Sequence, residues 1–190
     1  MIVNSHNDWD PLEEIIVGHA HHSRIATDIS ARSFSYANFK KEDVEKLEGT
    51  YPQWVIDEAN EDADGLADAL TKMGVKVRRP KIIDWDNVNY DIGQGWNTKG
   101  WYSWCPRDLI LPLGDMLIET PTPVRARYFE TKLYEDIMYE AFEDGALWLQ
   151  APKPNLHDDM FQFEDIADKP TLLNHEICFD APNIVRVGRD

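Results

Sequence analysis

Apolar residues recur at steps of three and four along positions 53–73, at Val55, Ala59, Ala63, Leu66, Leu70 and Met73. That period lines one face of an α-helix. Pro52 before it and Gly74 after it mark the ends, the glycine as a left-handed cap. A short strand at 75–78 follows and is stopped by Pro80. The same order returns further on. A helix is predicted over 128–142, with Phe129, Leu133, Ile137 and Ala141 on one face and Tyr134, Met138 and Phe142 widening it. Gly145 caps it, Leu147, Trp148 and Leu149 make a strand, and Pro152 stops that strand. Ahead of this helix, the apolar runs 109–111 and 116–118 flank Gly114 and Asp115 as the two arms of a hairpin.

The second stretch is thus a β-β-α-β unit, and the first echoes its latter part. Units of this kind do not bury both faces alone and normally stack on neighbours. Nearer the N-terminus, Ile15, Ile16 and Val17, closed by Gly18, read as a buried strand. Residues 19–49 are polar and irregular, with one helical stretch at 41–48, and residues 84–100 have no period and read as a long excursion, a common place for function. At the other end, 183–187 alternates like a strand, with 188–190 as its turn. No return strand follows, so 184–187 is expected to be an exposed edge, and the strand at 15–17 is expected to lack part of its neighbourhood.

A chain of 190 residues makes one domain. Its 19 Lys and Arg against 35 Asp and Glu leave a net charge of −16. That charge repels phosphate backbones and anionic bilayers, which sets aside nucleic-acid and membrane-surface binding. It leaves cationic substrates open. The 7 Trp exclude a disordered tail. No apolar run reaches membrane-spanning length and no signal-like N-terminus is present, so a cytoplasmic protein is expected. Cys105 and Cys178 are too few for a disulfide scaffold and are not spaced as a redox pair.

Two segments place a carboxylate beside a predicted strand, Cys105 to Asp108 and Glu176 to Asp180. Convergent carboxylates suit a guanidinium, whose planar N–H groups donate in pairs, and a carboxylate also orients a catalytic histidine. Solvated strand ends are the plain alternative. Cys105 with Arg107 nearby, and Cys178 with His175 nearby, would be nucleophiles only if their thiolates were stabilised, and small buried apolar residues are the favoured reading. His19, His21 and His22 have no fourth ligand at a zinc-site spacing and read as a polar loop. Arg125 and Arg127 either hold a substrate carboxylate or pair with acidic residues such as Glu130, the second being favoured. Tyr102 and the neighbouring tryptophans wall a pocket or fill a core. No phosphate-binding, dinucleotide, hydrolase-elbow or zinc-protease motif occurs. The residues alone describe an acidic α/β domain suited to a guanidine or amine.

The segments 7–18, 77–80, 106–108, 118–121, 127–130, 151–154 and 178–181 resemble, in order, those of glycine and inosamine-phosphate amidinotransferases. The resemblance implies a pentein fold of β-β-α-β modules around a pseudo-fivefold axis, incomplete here and amounting to the N-terminal half of the ring. Residues 1–80 would form a first module with its excursion, 101–152 a second, and 176–190 the start of a third. It implies amidino transfer from arginine to an amine such as glycine, with no cofactor and no metal. Asp180 falls on the family's catalytic aspartate, Asp108 on an aspartate that holds the guanidinium, and Tyr102 on a substrate-pocket tyrosine. The family's catalytic histidine and nucleophilic cysteine lie beyond the end of this chain, so a chain inactive alone is expected, completed by a C-terminal-half chain or dimerising with itself. The alternatives are a non-catalytic or regulatory guanidino-binding fragment, and half of a guanidine hydrolase in which water replaces the amine.

Overall fold

Parallel strands cannot be joined by a tight turn and need a long crossover, and the first unit of the chain is built around that requirement. The computed structural model describes residues 3–36, 39–164 and 169–189. After β1 (Glu14–Ile16) come β2 (Arg24–Ile25), the short helices α1 (Ile29–Ser35) and α2 (Lys41–Glu45), and β3 (Gly49–Thr50) antiparallel to β2. Asp28 starts α1 by accepting from the backbone N–H groups of Ser30 and Ala31. The helix α3 (Gln53–Lys72) then leads into β4 (Lys76–Arg78), which lies parallel to β1 with Ile15 opposite Val77.

The apolar stripe expected on α3 is only shallowly covered. Ile56 is its buried residue, whereas Leu66 and Met73 are 54% and 78% exposed. A helix of this length runs about 30 Å, while each strand of the β1–β4 pair spans roughly 10 Å. The sheet is too narrow to cover the helix. β1 has β4 as its one strand partner among the described residues.

The excursion at 84–100 contains a 3-10 turn, Trp85–Asn87, and a small hairpin of β5 (Tyr90–Asp91) and β6 (Asn97–Thr98). Trp85, 1% exposed, packs with Ile110, Leu117, Leu133, Tyr134 and Met138, so this loop helps fill the main core. That core belongs to the second unit. β7 (Ile110–Leu113) and β8 (Met116–Glu119) are antiparallel across the two residues Gly114 and Asp115, with Gly114 at φ 60°. A two-residue hairpin needs positive φ at that place, which glycine supplies. The helix α4 (Glu135–Glu143) crosses back to β9 (Leu147–Gln150), parallel to β8, completing the expected β-β-α-β order.

The helix expected over 128–142 starts only at Glu135. Before it the chain makes two 3-10 turns, Arg125–Arg127 and Glu130–Leu133. Arg125, Arg127 and Glu130 are all buried there, and an apolar count cannot register that their charges must reach partners. Phe142, counted on the apolar face, is 53% exposed.

Next, β10 (Phe161–Glu164) and β11 (Lys169–Leu172) form an antiparallel hairpin that the sequence reading did not anticipate. The edge strand expected at 184–187 does not form. After a 3-10 turn, Ala181–Asn183, the chain makes a single bridge, Val187 opposite Asn7, and the Gly188 N–H donates to the His6 carbonyl at 3.1 Å. Arg186 is captured by Asp8, Ser5 and the Pro112 carbonyl, which pins the segment by polar contacts rather than a ladder. Asp190, the last residue of the expected turn, lies outside the described residues. Among the described residues, no helix is long and apolar enough to cross a membrane.

Candidate active site

The site begins at a close backbone approach. A Cβ on Gly18 would lie 2.5 Å from the Trp104 Cα and closer still to the Ser103 carbonyl oxygen. Only glycine lets 17–20 press onto 101–104, where the His19 N–H donates to Ser103 O at 3.3 Å. The segment so fixed carries Tyr102. One face of its ring stacks on Trp104, with centroids 4.9 Å apart and 19° between planes. The Arg127 guanidinium carbon sits 4.8 Å from its centroid.

Arg127 is the hub. Its side chain is 3% exposed and donates to both oxygens of Glu130, Nε to Oε2 at 2.7 Å and Nη2 to Oε1 at 2.9 Å. Nη1 donates to Asp108 Oδ2 at 2.5 Å, and Nη2 also reaches the Cys105 carbonyl at 3.2 Å. Asp108 closes the 3-10 turn Pro106–Asp108 that opens β7, and its own carbonyl accepts from the Thr120 hydroxyl at 3.0 Å. Asp180 opens the 3-10 turn that packs against that same turn. The Phe179 N–H donates to Pro121 O at 3.1 Å, which lays 179–180 beside 121–122, and Thr122 hydrogen-bonds the Asp180 carboxylate. Asp180 Oδ1 is nevertheless buried without a hydrogen-bond partner among the described residues.

Asp108, Asp180 and Tyr102, widely separated in sequence, therefore gather around Arg127. The pairing of Arg127 with Glu130 was among the sequence readings. Its bond to Asp108 has no local signal, because the two are 19 residues apart. Tyr134, whose hydroxyl approaches Glu130 Oε1 at 3.5 Å, was read only as part of the apolar helix face, and Thr122 was not singled out.

Three carboxylates, Asp108, Glu130 and Asp180, thus share one cation. Burial opposes the Arg127 charge, but Glu130, Tyr102 and Asp108 together hold it firmly protonated. Burial pushes the fully enclosed Glu130 carboxyl up, and the Arg127 charge pulls it back. Asp180 is likewise pushed up, by burial first and by Asp108, against the pull of Arg127 and Thr122. Burial raises the Tyr102 phenol, so it stays neutral.

The thiols are poorly disposed to attack. Burial and Asp108 push Cys105 up to about 11, and burial, Glu176 and Asp180 push Cys178 up to about 11. Both are free and half-buried. At pH 8 the thiolate fraction is then on the order of 0.1%, and alkylation by iodoacetamide is expected to run roughly a hundredfold slower than for free cysteine. Mass spectrometry of a time course checks this, and modification at the free-cysteine rate would contradict it.

The three histidines do not form one ligand set: the His19 and His21 rings pack with centroids 5.1 Å apart, while His22 turns to Asp84. His19 is buried, bonded to the Ser103 hydroxyl at 3.0 Å and the Lys81 carbonyl at 3.3 Å, and burial pushes it down to about 4. His22 sits 3.3 Å from Asp84. With Asp86 these form the one group among the described residues close enough for a metal, but Asp86 already accepts from Arg24 and Thr50, and Asp84 from Asn87. Arg125 is committed to the Leu156 carbonyl and Asp158, between the rings of Trp96 and Phe161. An open cavity of about 630 Å³ between α3 and β4, walled by His21, Asp64, Arg79 and Ile82, lies apart from these carboxylates.

No family model matches the chain. It is 42% identical over 190 residues to inosamine-phosphate amidinotransferase 1 of Streptomyces glaucescens, an alignment covering 100% of this chain and 54% of that protein. It is 34% identical over 205 residues to the mitochondrial glycine amidinotransferase of Gallus gallus, covering 99% of this chain and 47% of that one. Among solved structures, an inosamine-phosphate amidinotransferase of Streptomyces griseus superposes with a TM-score of 0.87 at 39% identity, covering 98% of this chain and 53% of that one. SxtG, an amidinotransferase from Microseira wollei in the saxitoxin biosynthetic pathway, superposes with a TM-score of 0.82 at 33% identity, over 98% and 55% of the two chains. These neighbours have the pentein-type α/β fold that the sequence led us to expect. Over its whole length the chain belongs to the amidinotransferase family, and it spans about half the length of the curated relatives it matches.

Proposed function

We propose that this chain supplies the guanidinium-holding part of an amidinotransferase acting on arginine and an acceptor amine such as glycine. The observation that carries the reading is the surplus of carboxylate at the site, three acids around the single Arg127 cation, with one buried oxygen of Asp180 unpartnered. A second cation bearing planar N–H donors offsets half of that two-charge surplus and meets that oxygen, and the arginine guanidinium is such a group. In this reading Asp108 grips the guanidinium and Tyr102 presents its hydroxyl edge, since its ring is already engaged by Trp104 and Arg127. Asp180 orients the histidine that serves as acid and base.

The reaction joins a thiolate to the guanidino carbon, expels ornithine as the protonated amine, and passes the amidino group from sulfur to the acceptor amine. Cys105 and Cys178 are not suited to the thiolate role, being held protonated by burial and neighbouring acids. In this reading the pentein modules lie at 1–80, 101–152 and 176–190, and residues 1–190 by themselves are inactive, the histidine and the cysteine being supplied from outside them. A homodimer is one assembly this reading admits.

Calorimetric titration with arginine, using lysine as the control, tests the reading. Arginine is expected to bind, and Asp108→Asn or Asp180→Asn to weaken it about tenfold or more. With guanidino-labelled arginine and glycine, the chain alone is expected to transfer no label. Transfer that disappears in Cys178→Ala would overturn the half-site reading. Binding with no turnover after addition of a complementing half would favour a non-catalytic guanidino-binding protein.

A further inference from the structure

We propose that Arg127 and Glu130 are positioning residues of this site, with Glu130 neutralising Arg127 so that Asp108 and Asp180 are left to a ligand cation. The inference rests on the guanidinium-holding reading and adds to it the two residues that set its charge. Glu130 meets Arg127 through both of its oxygens, at 2.7 and 2.9 Å, with the two side chains 1% and 3% exposed. A buried bidentate pair of this kind is locally neutral and geometrically fixed. Arg127 has one nitrogen, Nη1, left to orient Asp108, and it bonds a single oxygen of that carboxylate, Oδ2. Tyr102, under the guanidinium and against Trp104, and the Cys105 carbonyl keep Arg127 from turning elsewhere.

The consequence is electrostatic. Were Glu130 uncharged, Arg127 would be balanced by Asp108 and Asp180 themselves, and the site would hold one surplus negative charge instead of two. The groups that face Asp180 are Arg127, Asp108 and Glu130 across the three 3-10 turns, the Thr122 hydroxyl, and Cys178 two residues earlier. None of them substitutes for Glu130, because none other is bonded to both ends of the Arg127 fork among the described residues.

The test is a carboxyl-carbon NMR titration of Asp180 in the 190-residue chain, in wild type, Glu130→Gln and the double variant Arg127→Met with Glu130→Gln. In Glu130→Gln the Asp180 midpoint is expected to fall by about one pH unit, because the Arg127 charge is no longer neutralised. In the double variant it is expected to climb back toward the wild-type midpoint, since the cation has gone too. Mere loosening of the fold would lower the midpoint in both variants, and more in the double one. That result, or no movement in either, overturns the proposal. Arginine titrations run alongside separate the two readings. Midpoints that shift as stated in a chain that binds no arginine would uphold the positioning pair and remove the guanidinium-holding function.

Discussion

Arg127→Met is expected to destabilise the chain by about 3–5 kcal/mol, the cost of leaving a buried charge without its partner. Glu130, 1% exposed, would lose both of its strong donors and keep only the distant Tyr134 hydroxyl at 3.5 Å. The sign of the pH dependence follows from the same geometry. Burial already pushes the Glu130 carboxyl up, and removing Arg127 takes away the main opposing pull. A carboxyl whose folded-state pKa lies above its unfolded one, near 4.3 or so, costs stability as pH rises between the two values. The deficit of Arg127→Met should therefore be full at neutral pH and shrink as pH falls toward about 4, where Glu130 takes a proton in both states. Urea unfolding of wild type and variant at pH 7.5 and at pH 4.5 reads this out. A deficit that does not change between the two would mean that Glu130 is not the group left stranded. Removing Glu130 as well, in the double variant, is expected to recover much of the loss.

Gly18→Ala is the second change with a large effect. The new methyl would fall 2.5 Å from the Trp104 Cα, and it would meet backbone, which cannot rotate out of the way. Overpacking of this kind costs about 3 kcal/mol, or roughly 6–12 °C in melting temperature for a chain of this size. It should also part the 17–20 segment from 101–104 and disturb the Trp104–Tyr102–Arg127 stack. The same substitution at Gly65 provides the contrast. There no atom lies within 4 Å and the residue sits inside α3, so Ala is expected to stabilise by about 0.5–1 kcal/mol. Paired thermal melts, with tryptophan fluorescence as a local probe, decide the matter. A Gly18→Ala chain that melts with the wild type would show that the contact is not tight in solution.

Much of the second unit was legible because its signals are local. Gly114 between two apolar runs gives the hairpin, and Leu133, Ile137 and Ala141 give the helix that crosses back to β9. The errors lie where burial is decided by something distant. The face of α3 reads as a core stripe, yet Leu66 and Met73 stay exposed because the sheet beneath is two strands wide. Residues 128–134 read as the start of a helix, yet next to the buried Arg127 and Glu130 the chain makes 3-10 turns instead. The alternation at 184–187 reads as a strand, yet Arg186 is held by Asp8 and Ser5 and pairing is confined to the single residue Val187.

By itself, then, the sequence determined the α/β class, the β-β-α-β unit, a strongly acidic character, and the family, through segments spread along the whole chain. These rest on composition, on periods of two and of three to four residues, and on collinear motifs, all of which are read along one dimension. Only the tertiary structure decided that Asp108, Asp180 and Tyr102 gather around one buried cation, and that Glu130 meets that cation through both of its oxygens. Charge balance in a desolvated place depends on distances between residues far apart in the chain, and folding alone sets those distances.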